Sequence, residues 1–320
     1  MRRSITLAAA LLIAASAFAA EDVIRKGFNV SDGGTLRLDN AVGDIRVVTG
    51  GSGVAVEITR KARGSRGEER LRDHRINFEQ RGNDVVITSD DHERRNRWFN
   101  WDDRYDVQWN IRVPDRYNLE VETSGGSIHI DDIDGNVEAR TSGGGIKTGR
   151  MTRESTLKTS GGSISVAGGG ARVIAHTSGG GITIGDTTGP VEAKTSGGSI
   201  TLARVGGEVY ARTSGGGITI EDATGKIDAH TSGGSIRATL SRQPADDSRL
   251  ETSGGGVTVM LARSVAVDLD AESSGGGVHA DIPVTVQGTQ DDDSVRGRIN
   301  GGGPKLVLRS SGGGIRVKGL

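Results

Sequence analysis

Residues 195–212 read Thr195-Ser196-Gly197-Gly198-Ser199-Ile200-Thr201-Leu202-Ala203-Arg204-Val205-Gly206-Gly207-Glu208-Val209-Tyr210-Ala211-Arg212. Ile200 and Leu202 alternate with Thr201, which reads as one short strand. Val209 and Ala211 alternate with Tyr210 and Arg212, a second strand that Thr213 continues. Gly197-Gly198 and Gly206-Gly207 separate the two, and glycine's tolerance of positive φ suits such reversals. The inward set is then Val, Ala and Thr from one strand and Ile with Ile or Leu from the other, so the core is thin.

The tetrapeptide Thr-Ser-Gly-Gly begins at Thr123, Thr141, Thr159, Thr177, Thr195, Thr213 and Thr231, each 18 residues after the last. It returns at Thr252 and, as Ser273-Ser274-Gly275-Gly276, at steps of 21. A weaker copy lies at Asn300-Gly301-Gly302-Gly303 and a last one at Ser310-Ser311-Gly312-Gly313. A short fixed period of this kind is the signature of a solenoid. Three Val- or Ile-sized side chains do not offset the ordering of a whole coil, so each coil depends on its neighbours. The expected fold is an all-β β-solenoid with 18-residue coils, wound right-handed as solenoids generally are. About eleven layers give a rod on the order of 50 Å long. The residue after Gly-Gly alternates through Ser127, Gly145, Ser163, Gly181, Ser199, Gly217 and Ser235. Two explanations stay open: a 36-residue duplication, or packing in which a serine fits only between glycines.

Composition agrees. The 320 residues carry 40 Lys+Arg against 41 Asp+Glu, a balance without the basic footprint of a nucleic-acid binder. With 52 Gly and 5 Pro, glycine is enriched, but the total stays below the roughly 25–30% of low-complexity disorder. Ile and Val outnumber Leu, which favours strands. Cysteine is absent, which excludes disulfides, a thiolate nucleophile, Cys-ligated metal and a lipidated N-terminal Cys.

Residues 1–20 read as a secretory signal peptide. Arg2 and Arg3 form the positive start, Ile5 to Ala15 the apolar run, and Ala17-Phe18-Ala19 the small-x-small site, with cleavage after Ala19 or Ala20. Removing Arg2 and Arg3 leaves 38 basic residues against 41 acidic. No later stretch is apolar enough for a spanning helix, so the expected location is periplasmic or extracellular. Residues 21–118 read as an irregular β start and cap, with strands around Leu36-Arg37-Leu38, Ile45-Arg46-Val47, 54–58, 85–87 and 107–113 and a short charged helix over 68–75. The stretch Gly43 to Val47 already reads as a degenerate coil. Residues 119–320 read as the regular solenoid. At its end Arg316 and Lys318, alternating with Ile315 and Val317, are expected to blunt an exposed terminal edge.

Three features carry a resemblance: Val113-Pro114-Asp115-Arg116-Tyr117-Asn118-Leu119-Glu120-Val121 leading into the repeats, the run of Ser-Gly-Gly-[Gly/Ser]-[Ile/Val] coils, and the ending Ile299-Asn300-Gly301-Gly302-Gly303-Pro304-Lys305-Leu306 with Ser311-Gly312-Gly313-Gly314-Ile315. The chain resembles the bacterial β-strand-repeat family of putative adhesins, a domain of unknown function, over nearly all of its mature length. The resemblance implies a β-solenoid in or outside the cell envelope and supplies no catalytic residues.

Two candidate binding surfaces follow. The residue before each Thr-Ser-Gly-Gly faces outward, and down the rod that column reads Arg140, Lys158, His176, Lys194, Arg212 and His230, flanked by Glu122, Glu251 and Glu272. It suits an anionic envelope polymer or acidic glycan. The alternative is an ordinary solvated column, offset by Glu138, Glu192 and Asp228 two residues earlier, that needs no function to explain it. The second surface is Trp98, Phe99, Trp101, Tyr105 and Trp109 among Arg94, Arg95, Arg97, Asp102, Asp103 and Arg104. Trp98 and Trp101 are the expected exposed pair, for a sugar or a protein partner. Trp109 alternates with Val107 and Ile111 and is expected to plug the core.

No cofactor or metal is expected. The acidic turns Asp131-Asp132-Ile133-Asp134-Gly135 and Asp291-Asp292-Asp293 lack the repeated nonapeptide of calcium β-rolls, and the histidines at 74, 92, 129, 176, 230 and 279 show no ligand spacing. The serine of Ser-Gly-Gly has no nucleophile-elbow context, and the turns are too short to build a polysaccharide-cleaving cleft. The reading is a non-enzymatic envelope scaffold, adhesin-like, with oligomeric state open. Its alternatives are a partner module for envelope stress or assembly acting through residues 94–109, and a glycan-processing enzyme.

Overall fold

A computed structural model of the chain describes residues 20–90, 104–286 and 291–320. Each 18-residue unit turns at two corners and gives one strand to each of two facing sheets. In the unit quoted above the strands are Ile200–Val205 and Val209–Thr213. Successive units pair in parallel at an offset of 18, so Ile146, Ile164, Ile182, Ile200, Ile218 and Ile236 stand in one column. On the facing sheet Val173, Val191, Val209 and Ile227 do the same. All these side chains are buried, and they belong to one continuous cluster running from Val30 to Val317. Val205 joins the inward set at the corner, after the two outward residues Ala203 and Arg204.

The Thr-Ser-Gly-Gly turn is the joint between layers. Its threonine is buried, and its hydroxyl donates to the carbonyl of the second glycine one layer back: Thr177 to Gly162, Thr195 to Gly180 and Thr213 to Gly198, each at 2.7 Å. These glycines do not adopt the left-handed region. Positive φ among the described residues occurs only at Gly33, Gly43, Gly50, Gly64, Gly82, Gly301, Gly302 and Asn300. The reason for glycine is closeness instead. A methyl group on Gly162, Gly180, Gly198, Gly216 or Gly234 would lie closer than 3.0 Å to the carbonyl of the glycine beneath. The Ser/Gly alternation is also explained by packing: the Ser163 hydroxyl accepts the N–H of Gly181 at 3.2 Å, and Ser199 accepts that of Gly217 at 3.3 Å.

Both ends depart from sequence order. Thr35–Ala41 and Asp44–Val48 form a full layer directly against the coil of Asn118–Thr123 and Ile128–Ile130, with Leu36 beside Leu119 and Ile45 beside Ile128. Asp84–Asp90 and Arg104–Arg112 make the layer outside it. Val54–Arg63 and Arg75–Arg81 then run antiparallel over that outer layer, and Ala20–Phe28 pairs with Val54–Arg63. The helix spans Gly64–Asp73, starting earlier than the charged run alone implied. Trp109 is wholly buried here and its indole N–H donates to the Val42 carbonyl at 2.9 Å, so the expected plug is present.

The other end mirrors this arrangement. Lys305–Ser310 and Ile315–Gly319 lie between the coil of Ser248–Thr252 and Val257–Leu261 and the coil of Val267–Ser273 and Val278–Ala280. The hydroxyl joints follow the spatial order: Ser310 donates to Gly255 and Ser273 to Gly313, both at 2.7 Å. The expectation that Arg316 and Lys318 guard a terminal edge is therefore corrected, because their strand is an interior one. The outer edge is instead covered by Ser294–Ile299, antiparallel to Val267–Ser273. Setting aside the antiparallel strands, two in one sheet and three in the other, the 14- and 15-stranded sheets are each twelve layers deep.

Two outcomes are expected. Gly198→Ala forces a methyl group against backbone that cannot move independently, and should lower stability by about 2–3 kcal/mol or more. Gly125→Ala, whose methyl would meet nothing within 4 Å, should change stability by less than about 0.5 kcal/mol. Urea unfolding of both variants checks this. Deleting residues 301–320 removes an interior layer, so hydrogen exchange should show lost protection across 267–280 as well as 257–261. If protection at 267–280 survives, the interleaved order is wrong.

Candidate functional site

The outer face of the sheet containing Val209–Thr213 carries the candidate column. Parallel register brings all six side chains into line: Arg140, Lys158, His176, Lys194, Arg212 and His230 are successive partners, with Glu122 before them and Glu251 after. Beyond Glu251 the column continues through Arg309 to Glu272. Sequence order hid Arg309, since its strand is inserted from a later segment.

The column is partly compensated. Arg140 pairs with Glu138, Arg212 approaches Asp228 at 3.8 Å and His230 approaches Glu251 at 3.9 Å. Glu192 is the most engaged acid: Lys194 lies at 2.6 Å, and His176 and Arg172 each at 3.1 Å. The Lys194 hydrogen bond leads in holding its carboxyl down at about 2, with His176 and Arg172 adding to it against partial burial. Burial lowers the His176 pKa, and the nearby Lys194 and Lys158 oppose its protonation further, while Glu192 favours it. His176 is therefore mostly neutral at pH 7, and the permanent cations of the stretch from Arg140 to His230 are Arg140, Lys158, Lys194 and Arg212, with Arg309 beyond Glu251. Lys158 has no carboxylate at ion-pair distance among the described residues. Arg140 and Lys158, with Ser142, Ser160 and Glu122, line a small hollow of about 220 Å³.

Trp98 and Trp101 lie outside the described residues. Of that aromatic run, Tyr105 is half-buried, with its hydroxyl 2.5 Å from Nδ1 of the buried His74, whose Nε2 is 2.6 Å from the Ser89 hydroxyl. This polar cluster sits beneath the N-terminal cap, and Ser89 is sealed from solvent.

The acidic turn at 131–135 is used structurally. Asp132 accepts the Arg150 backbone N–H at 2.7 Å, and Asp134 accepts from Thr152 at 2.5 Å and Arg153 at 3.1 Å. Asp131 lies 3.4 Å from His129. Among the described residues no group of three or more His, Asp or Glu is placed to hold a metal ion, and no helix is long and apolar enough to cross a membrane.

Two parallel sheets closed over a thin aliphatic core, with glycine corners repeated every 18 residues, define a β-solenoid whose faces are ordered columns of side chains. The Toastrack DUF4097 family matches residues 34–318, and the chain belongs to it. No curated protein matches the sequence. Among solved structures it is similar to a putative cell adhesion protein from Clostridium sporogenes, at 13% identity over 95% of this chain and 100% of that one, with a TM-score of 0.26. It is also similar to a putative adhesin from Bacteroides fragilis, at 13% identity over 93% and 97% with a TM-score of 0.29. A putative lipid binding protein from Parabacteroides distasonis matches at 12% identity over 93% and 97%, with a TM-score of 0.26. Nothing about function rests on these likenesses.

The depressed Glu192 pKa fixes a pH dependence. Its folded value, about 2, lies below the ordinary 4.5, so its contribution to stability is present above about pH 4.5 and fades as pH falls toward 2. Glu192→Gln should lower stability at pH 7 by on the order of 1 kcal/mol or less and by distinctly less at pH 2, where the folded carboxyl is about half protonated. Urea midpoints at the two pH values test the difference.

Proposed function

We propose that the protein is a non-enzymatic scaffold of the cell envelope, periplasmic or secreted, that holds anionic envelope polymers along its basic column. The observation that carries this reading is register. Four permanent cations stand in two neighbouring pairs, Arg140 with Lys158 and Lys194 with Arg212, about 4.8 Å apart within each pair and separated by the His176 layer, all fixed by backbone pairing. A polymer bearing phosphates or carboxylates at short intervals meets several at once, and affinity grows by multivalency. The existing ion pairs do not block this. Exposed pairs contribute roughly 0–1 kcal/mol each, so an incoming anion exchanges with them readily. The hollow between Arg140 and Lys158, bordered by the Ser142 and Ser160 side chains, offers donors of the kind an oxyanion accepts. The leader-like pattern of residues 1–20 supports delivery outside the cytoplasm.

Pull-down against immobilised lipopolysaccharide, with neutral dextran as control, tests the reading. Retention on lipopolysaccharide that weakens with salt, and that drops about tenfold or more in the Arg140/Lys158/Lys194/Arg212→Ala variant, is expected. Equal retention of the variant would overturn it.

A further inference from the structure

Tyr210 is the only aromatic residue after Tyr117 in the sequence. The core does not need it: its neighbours Val209 and Ala211 point inward and are buried, while Tyr210 stands on the outer face. Its column includes Glu120, Glu138, Thr156, Ile174, Glu192, Asp228 and Arg249, none of them aromatic. The ring is held in place. The Lys194 ammonium lies 4.7 Å and the Arg212 guanidinium 4.6 Å from its centroid, both from the neighbouring column nearer the Thr-Ser-Gly-Gly turn.

On the side away from those cations the surface falls into a hollow of about 520 Å³ that Tyr210 lines. It exists because Pro190 and Gly207 bring little bulk to the turn, and their backbones stack so closely that a methyl group on Gly207 would lie 2.7 Å from the Pro190 nitrogen. Two ion pairs stand around it, Arg172 with Glu192 at 3.1 Å and Lys226 with Glu208 at 3.4 Å. With Asp228 the lining counts two cations against three carboxylates, so this hollow does not select an anion.

We infer that the hollow beside Tyr210 is a carbohydrate subsite for an uncharged pyranose. The C–H face of the sugar lies on the part of the phenol ring that borders the hollow, while Lys194 and Arg212 steady the ring. Neighbouring sugar hydroxyls meet a donor and an acceptor together at each ion pair, Arg172 with Glu192 and Lys226 with Glu208. The volume lies within the roughly 300–1,000 Å³ of small-molecule sites. This inference goes beyond the anionic-polymer reading and does not depend on it, because ligand charge and salt response differ between the two surfaces.

Saturation-transfer NMR on the full-length protein tests it, with chitotriose, cellotriose and maltotriose as uncharged probes and trigalacturonate as the acidic counterpart. Transfer to ring C–H protons of at least one uncharged trisaccharide is expected, unchanged when salt is raised. Tyr210→Thr, which places here the residue that Thr156 contributes to the same column, should weaken binding about tenfold, and Tyr210→Phe should retain it. Circular dichroism of both variants reports folding. Absence of transfer to all three uncharged probes, transfer to trigalacturonate alone, or equal binding by folded Tyr210→Thr would each overturn the subsite. None of these results bears on retention by lipopolysaccharide.

Discussion

The structure depends on one contact: the carbonyl of a glycine in one layer pressed against the backbone of the equivalent glycine in the next. Gly162, Gly180, Gly198 and Gly216 leave no room for a methyl group between them, and the threonine hydroxyl beside each turn ties the same carbonyl. Close approach at the corner sets the layer spacing there, and the two sheets inherit it along their length. The aliphatic columns then meet like with like, Ile on Ile and Ala on Ala, and together they fill a narrow interior. The hydrophobic effect supplies the driving force, but the glycine corner decides the geometry in which it acts.

The outer faces are a by-product of the same register. Once inward positions are fixed, every second residue of a strand is placed above its counterpart in the preceding coil. Charges that would be scattered on a globular surface become columns. Arg140 to His230 form one such column, and its acidic neighbours temper it without cancelling it. A single aromatic introduced into such a lattice, Tyr210, is set among charged neighbours at known positions. Repetition supplies the scaffold, and departures from repetition mark places where chemistry differs.

The regular coils were legible because their period is written in residues that leave few alternatives, and the inward positions Ile200, Leu202, Val209 and Ala211 read directly, whereas the corner residue Val205 did not. The role of the corner glycines was less legible. Glycine in a turn ordinarily signals backbone freedom, whereas here it signals contact with another layer, which one coil alone does not reveal. The Ser/Gly alternation became intelligible only when Ser163 was seen to bond Gly181. Spatial order at the ends was hidden for a different reason: strands of similar length and pattern compete for the same slot, and Leu308 stands beside Leu250 where sequence order would place Ala271. Arg309 in the charged column was missed on that account. Tyr210 was visible as a lone aromatic but drew no notice beside the tryptophan cluster, and the hollow next to it depends on Pro190 and Gly207 from two different coils.

The interleaving of residues 305–319 has a consequence for how the molecule comes to be. A polypeptide made from its amino end presents the 267–299 segment first, before the piece that belongs beneath it exists. That segment has to wait, or dock provisionally on the coil of Ser248–Thr252 and Val257–Leu261 and later yield its place. The far end of the rod is thus a keystone closure: simple addition suffices for the middle repeats, whereas residues 305–319 take their place by insertion between two coils.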